Sequence, residues 1–176
     1  MTKCLPLLTE KMRPEEQLND PTRYTAIPRT LVFLTRGDEV LLLKGAPHKR
    51  LWAGKYNGLG GHIEAGENPY RAAGRAVREE SGLKISDLTL RAVIHVTLPT
   101  PPGVLLFVFV GAAPPSEPRP SEEGEPVWVK RETLPGLPLV EDLHQLLPRI
   151  LEPGTLLFGE YRFTEHGLEM DFEGGQ

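Results

Sequence analysis

Cysteine is almost missing from this chain: Cys4 is the only one in 176 residues. An intramolecular disulfide and a cysteine-based zinc cluster are therefore both excluded. Long apolar runs are missing too. The longest, residues 104–113, is about half of the roughly 20 residues that a membrane helix requires. There is no surplus of basic charge: 20 Lys and Arg face 24 Asp and Glu, a formal net charge of −4. A general duplex nucleic-acid partner, which needs a cationic face to displace counterions, is not expected. A small anionic ligand stays open, because one bound metal ion can reverse the local sign of a site. The opening MTKCLPLLTEKMRPEE has only a short apolar patch, broken by proline, and does not read as a signal peptide. A cytoplasmic protein with no membrane association is the expectation. No G-x-S-x-G nucleophile motif occurs, and His48, His95, His144 and His166 lack zinc-ligand spacing.

What is present is globular: 39% hydrophobic and 25% charged residues, in a length suited to one domain. Such a chain buries roughly 70% of its unfolded surface. Residues 1–27 show no clear periodicity and read as an arm laid over a domain spanning 28–165, with a loose tail at 166–176. Residues 30–35 (TLVFLT) and 39–44 (EVLLLK) are apolar runs around Gly37-Asp38, which predicts a hairpin. A glycine-rich stretch follows over 45–66. Asn68-Pro69 then opens the run PYRAAGRAVREESGL, with Gly82 just past its end, the usual helix start and stop. Residues 88–98 and 104–110 read as paired strands, and AAPPSEPRPSEEGEP as a surface loop. Residues 127–130 read as a short strand, 139–151 as a helix and 156–163 as a last strand. Strands mixed with two helices predict an α/β protein, a mixed sheet covered on both faces.

The chemistry concentrates in residues 61–83. In the predicted helix, positions 76, 79 and 80 fall at i, i+3 and i+4 and share a face. Glu79 and Glu80 are adjacent acids near the helix end, facing a turn with Gly58, Gly60 and Gly61. Their charges repel unless a cation intervenes, and carboxylate and backbone oxygens are the ligands that Mg²⁺ or Mn²⁺ prefers. Paired glutamates alone are most often a solvated face. Their spacing here is more specific. Gly61, five residues, Glu67, seven residues, Arg75, one residue, Val77, one residue, then Glu79-Glu80-Ser81-Gly82-Leu83 resembles the Nudix box.

The resemblance implies a Nudix-like α/β/α sandwich and hydrolysis of a nucleoside diphosphate linked to another group. On this mapping Glu79 and Glu80 are metal ligands and catalytic, the Gly61 carbonyl is a further ligand, and Mg²⁺, or Mn²⁺, is the cofactor. Arg75 belongs to the catalytic set by orienting a helix carboxylate through an ion pair. Glu67 and Gly82 serve the scaffold. One position departs from the motif: the glutamate expected directly after the arginine is Ala76. Arg78 cannot replace it, since a guanidinium repels the cation it would hold. The resemblance points to a loop acid, Glu123 with neighbours Glu122 and Glu125, as the compensating ligand; the bland reading is an acidic surface loop.

The segment from Trp52 to Gly61 is similar to the approach segment of Nudix enzymes that hydrolyse oxidised purine nucleoside triphosphates. That likeness implies Asn57, Glu141 and Asp142 as base-binding residues. An amide can both donate to and accept from a purine edge, and a partly buried acid can keep its proton and donate. The competing readings are an Asn-Gly turn and acids at a helix start. The ring that stacks on the base in that branch is not evident beside the acid pair, where Leu137, Leu139 and Val140 stand. Phe158 and Tyr161 resemble that branch's C-terminal hairpin, or else are core. His62 reads as a loop histidine. Lys44, Lys49, Arg50 and Lys55 form a basic cluster suited to drawing in a triphosphate. The expected substrate is a purine nucleoside triphosphate, possibly oxidised, giving monophosphate and pyrophosphate, by a monomer or homodimer. The alternatives are a nucleotide-sugar or dinucleoside polyphosphate substrate, and a nucleotide-binding module weakened by Ala76.

Overall fold

The computed structural model describes residues 23–48 and 50–174. Cys4, Lys49 and most of the arm expected over 1–27 lie outside these residues. The two apolar runs at the start form strands β1 (Ala26–Arg36) and β2 (Glu39–Gly45). They are joined at Gly37-Asp38 as an antiparallel hairpin with Leu34 opposite Leu41. Gly37 has φ 61°, the left-handed conformation that a tight hairpin turn demands.

β1 carries an unbroken apolar run, Leu31–Leu34, because both of its sides are covered there. Val32, Phe33 and Leu34 are all fully buried, as expected of a strand inside a sheet with helices on both faces. Their side chains alternate: Leu31 and Phe33 enter one core, Val32 and Leu34 the other. Helix α1 (Pro69–Ser81) packs Ala73 and Val77 on the Val32 side. Helix α2 (Leu143–Ile150) packs Leu143, Leu146, Leu147 and Ile150 on the Phe33 side. The expected three-layer arrangement is the one observed.

The other strands are β3 (Tyr56–Asn57), β4 (Thr89–Thr97), β5 (Gly103–Ala112), β6 (Gly124–Lys130), β7 (Leu157–Thr164) and β8 (Gly167–Gly174). The sheet runs β3-β2-β1-β5-β4-β7-β8, with β6 also paired to β2. It is mixed: β1 with β5 and β4 with β7 are parallel, and the remaining pairs are antiparallel. β6 lies along the whole of β2, so β1 and β3 divide its other edge. No helix among the described residues is long and apolar enough to cross a membrane.

The structure differs from the sequence expectation in three places. The second helix starts at Leu143, not at 139. Its forerunner stays extended because the Tyr56 N–H donates to the Pro138 carbonyl and the Val140 N–H to the Tyr56 carbonyl, each at 2.9 Å. The 166–176 tail is mostly strand β8, paired to β7 throughout. Leu168, Met170 and Phe172 alternate with Glu169 and Asp171 and pack on the core. β6 begins at Gly124, so the loop before it is shorter than the composition suggests.

Candidate functional site

Helix α1 is fixed at both ends, and this sets where its acids stand. Asn68 caps the start, its Oδ1 accepting the Arg71 N–H at 2.9 Å. Pro69 occupies the first turn, where its missing N–H costs nothing. At the exit Gly82 turns left-handed, with φ 71°, and its N–H donates to the Arg78 carbonyl at 2.9 Å. Glu79 and Glu80 therefore occupy the final turn and diverge as the helical pitch requires.

Glu80 is buried, only 8% exposed, and its Oε2 accepts the Gly60 N–H at 2.8 Å. Glu79 lies on the exposed side and pairs with Arg75, Nη1 to Oε2 at 3.0 Å. Arg75 is the hub. Its Nε reaches Glu67 Oε1 at 2.8 Å and its Nη2 reaches Glu67 Oε2 at 2.9 Å. The same Nη2 donates to the His62 carbonyl at 2.9 Å. This two-pronged pair holds the Glu67 carboxyl down at about 2; the hydrogen bond from Arg75 dominates and the Glu64 N–H assists. The Arg75 guanidinium is correspondingly held above its usual value, first by Glu67 and then by Glu79. The guanidinium thus ties the 62–67 loop to α1. Ala76 is 3% exposed and brings no polar group to the face that it shares with Glu80.

The strip Gly58–Gly61 runs antiparallel along β1. Val32 and Leu59 exchange N–H and carbonyl bonds at 2.6 and 3.0 Å, and the Thr30 N–H donates to the Gly61 carbonyl at 2.9 Å. The Gly61 carbonyl, which the resemblance offers as a metal ligand, is the acceptor of that β1 bond. The N–H and C=O of one strand residue point to the same edge, and the Gly60 N–H meets Glu80. Gly60 therefore presents its N–H to the carboxylate side of the strip. A Cβ on Gly60 would overlap the Thr30 carbonyl oxygen, whereas Gly61 has open space at that position.

Glu123 is exposed at the head of β6. Its carbonyl accepts the Ala46 N–H at 3.2 Å, and its N–H donates to Ser121 Oγ at 3.3 Å. This places it beside the end of β2, where Gly45 pairs with Gly124. Glu122 and Glu125 are exposed neighbours. Among the described residues, no three His, Cys, Asp or Glu side chains converge closely enough to hold a metal ion by themselves. A buried carboxylate aimed at a glycine backbone suits a hard cation that keeps several waters and takes its other ligands from substrate phosphate. The donor set fits Mg²⁺ in that limited sense.

Asn57 and the acid pair Glu141-Asp142, 84 residues apart in sequence at the nearest, follow segments that pair with each other. Tyr56 pairs in parallel with Leu139, which sets the acid pair alongside Asn57-Gly58. Asn57 Oδ1 accepts the Gly58 N–H at 2.8 Å, leaving its amide nitrogen to donate elsewhere. Glu141 is exposed and Asp142 half-buried. Burial pushes the Asp142 carboxyl up to about 6, and the Glu141 charge adds to this against the opposing Tyr161 hydroxyl. Tyr161, read as hairpin or core, is both: it is 3% exposed and lies in the β7–β8 hairpin. Its own hydroxyl is pushed up by burial and by the Asp142 carboxylate. Two cavities of about 360 and 430 Å³ flank α2, and neither is lined by α1 or by Gly58–Gly61.

The NUDIX domain family model matches residues 26–150. The oxidized purine nucleoside triphosphate hydrolase of Mus musculus is 30% identical over 81% of this chain and 90% of its own length. The NAD-capped RNA hydrolase NudC of Stutzerimonas stutzeri is 31% identical over 68% of this chain, but the match spans only 42% of that relative. Among solved structures, a MutT protein from Bacillus halodurans superposes with a TM-score of 0.73 at 22% identity, covering 84% of this chain and 97% of that one. At that identity the superposition speaks for the fold.

Proposed function

This chain belongs to the Nudix family of pyrophosphohydrolases, and from that premise we propose that it hydrolyses purine nucleoside triphosphates, oxidised ones included, to the monophosphate and pyrophosphate. The observation that carries the reading is the Glu80–Gly60 hydrogen bond of 2.8 Å. It clamps the one buried helix acid against the glycine strip that continues back to Asn57. Phosphate chemistry and base recognition then share one continuous piece of backbone.

Glu80 and Glu79 would hold Mg²⁺, with Glu123 approaching from β6. When bound, the ion neutralises phosphate charge and lowers the pKa of a coordinated water. The protein's own part is positional. Arg75 steers Glu79 through their 3.0 Å pair and braces the Glu67 loop. The Gly60 N–H fixes which Glu80 oxygen faces inward. Asn57 donates to the base edge through its amide nitrogen, and Asp142, its carboxyl raised to about 6, offers a proton or a lone pair according to pH. Water adds to phosphorus, the phosphoanhydride P–O bond breaks, and the electron pair leaves on the departing phosphate oxygen.

Support for the substrate class comes from the approach segment and acid pair, and from the mouse relative, whose name states oxidised purine triphosphates. The NudC relatives favour a second reading, a nucleoside diphosphate joined to a second nucleoside. A panel of nucleotides with Mg²⁺ or Mn²⁺ separates the two: pyrophosphate release from purine triphosphates supports the first, and two monophosphates from a dinucleotide support the second. Glu80→Gln keeps an acceptor for the Gly60 N–H and removes the charge. We expect turnover to fall by about 10²–10³, as when one preorganised charge-stabilising group is lost, with the melting temperature nearly unchanged. Unchanged turnover would exclude the metal role.

A further inference from the structure

The run between β5 and β6 is built to be stiff. Pro114, Pro115, Pro118 and Pro120 stand in it, and each fixes its own φ and drives the residue before it toward the extended region. Pro118 and Pro120 also have no N–H, so Arg119 carries the one backbone donor of residues 118–120. That donor goes to helix α1: the Arg119 N–H meets the Ser81 carbonyl at 2.8 Å.

Ser81 follows Glu80 directly, and the last carbonyls of a helix have no partner within it. Ser81 is also fully buried, so its carbonyl needs a protein donor. Other ties on this turn are local: the Gly82 N–H donates to the Arg78 carbonyl at 2.9 Å, and Ser81 Oγ to the Val77 carbonyl at 2.6 Å. The Arg119 bond instead joins the turn to a distant part of the chain. The same loop is anchored at its start, where the Ala113 N–H donates to the Thr35 carbonyl at 2.9 Å and Arg36 pairs with Glu117 at 2.8 Å. At its end Ser121 and Gly124 exchange backbone bonds at 3.0 and 3.3 Å, and the Glu123 carbonyl accepts the Ala46 N–H. The loop thus leaves the sheet at β5, touches α1 beside its acids, and returns at β6 with Glu123. The Arg119 side chain is exposed, and its stem passes Gly82.

We propose that residues 117–123 act as a strut between the acid-bearing end of α1 and Glu123, with Arg119 a positioning residue that works through its main-chain N–H. The strut rests on the metal reading above and goes beyond it. It holds ligands carried by two separate elements in fixed relation, and so sets affinity for the divalent ion without touching the nucleotide.

Arg119→Pro deletes the N–H in place, and Arg119→Ala keeps it while removing the guanidinium. Calorimetric titration of the nucleotide-free protein with Mn²⁺ should show affinity about 10- to 100-fold weaker in Arg119→Pro, the usual effect of losing a group that orients metal ligands. Arg119→Ala should bind Mn²⁺ as the parent does. At saturating Mg²⁺ the KM of Arg119→Pro for a purine nucleoside triphosphate should stay parental. Equal weakening in both variants, parental Mn²⁺ affinity in Arg119→Pro, or a KM that rises as far as metal affinity falls overturns the proposal. Should Arg119→Pro fail to fold, Pro118→Gly/Pro120→Gly gives a second arm. It keeps the donor, loosens the loop and should also weaken Mn²⁺ binding; parental affinity there overturns the strut. Glu80→Gln tells two failures apart. Parental Mn²⁺ affinity in Glu80→Gln sinks the metal site itself, whereas loss in Glu80→Gln beside retention in Arg119→Pro sinks the strut alone.

Discussion

At the residue scale, one missing carboxylate and one displaced titration govern what can be measured. Ala76 sits buried four residues before Glu80. A glutamate there would set two carboxylates at i and i+4, which repel without a cation. Ala76→Glu should therefore lower the melting temperature in metal-free buffer, recover it on adding Mg²⁺, and raise turnover if the gap limits catalysis. Stability that ignores Mg²⁺ would remove this face from the metal site. Asp142 titrates near 6 when folded against an ordinary 3.8. Between these values the native state keeps a proton that the unfolded chain has lost, so its contribution is present below pH 3.8 and vanishes as pH rises through 6. Asp142→Asn should thus gain on the parent between pH 4 and 7, by up to about 3 kcal/mol, as read from urea unfolding at each pH. Glu67, held at about 2, has the opposite sense and loses its contribution as pH falls below 4.5. It is common to both proteins and cancels in the difference.

At the element scale, the two glycines of the strip answer different demands. Gly60 lies against the Thr30 carbonyl, and Gly61 faces open space. Gly60→Ala must push backbone apart at the place where β1 and the Glu80 bond meet, and should cost about 1–3 kcal/mol together with most of the activity. Gly61→Ala should stay within about 0.5 kcal/mol of the parent. Equal destabilisation by both in thermal unfolding would show that the strip does not pair with β1 as described. The motif spacing marks Gly61; only the strand pairing reveals that Gly60 presents its backbone to the acids. The helix itself was readable, because Asn68, Pro69 and Gly82 are local signals. The start of α2 was not, because what keeps residues 138–140 extended is Tyr56, 82 residues away from Pro138.

At the scale of the whole molecule, β8 is part of the sheet and not an appendage. Tyr161 packs edge-on against Phe172 at 5.8 Å between ring centres, so the β7 side of the core is itself covered by β8. A chain ending after Thr164 should lose more than about 3 kcal/mol and soften the Asp142 site, visible as an earlier urea midpoint and a pH profile moved toward ordinary carboxylates. A midpoint equal to that of the full chain would show β8 to be dispensable. The period-two alternation of Leu168, Met170 and Phe172 was available in the sequence. It was obscured by the charged and glycine-rich composition around it.

Local chemistry is written in the linear chain. The Gly61–Leu83 spacing, the helix caps, the alternating apolar runs and the Glu67–Arg75 pairing depend on residues close enough to interact within one segment. They determined the α/β class and the acids of α1. Which backbone N–H meets those acids, the pairing of the Tyr56–Asn57 strand with the segment leading to Asp142, and the burial that raises Asp142 were decided only by tertiary structure. Each depends on pairing between segments tens of residues apart, or on a local dielectric that the folded core alone creates.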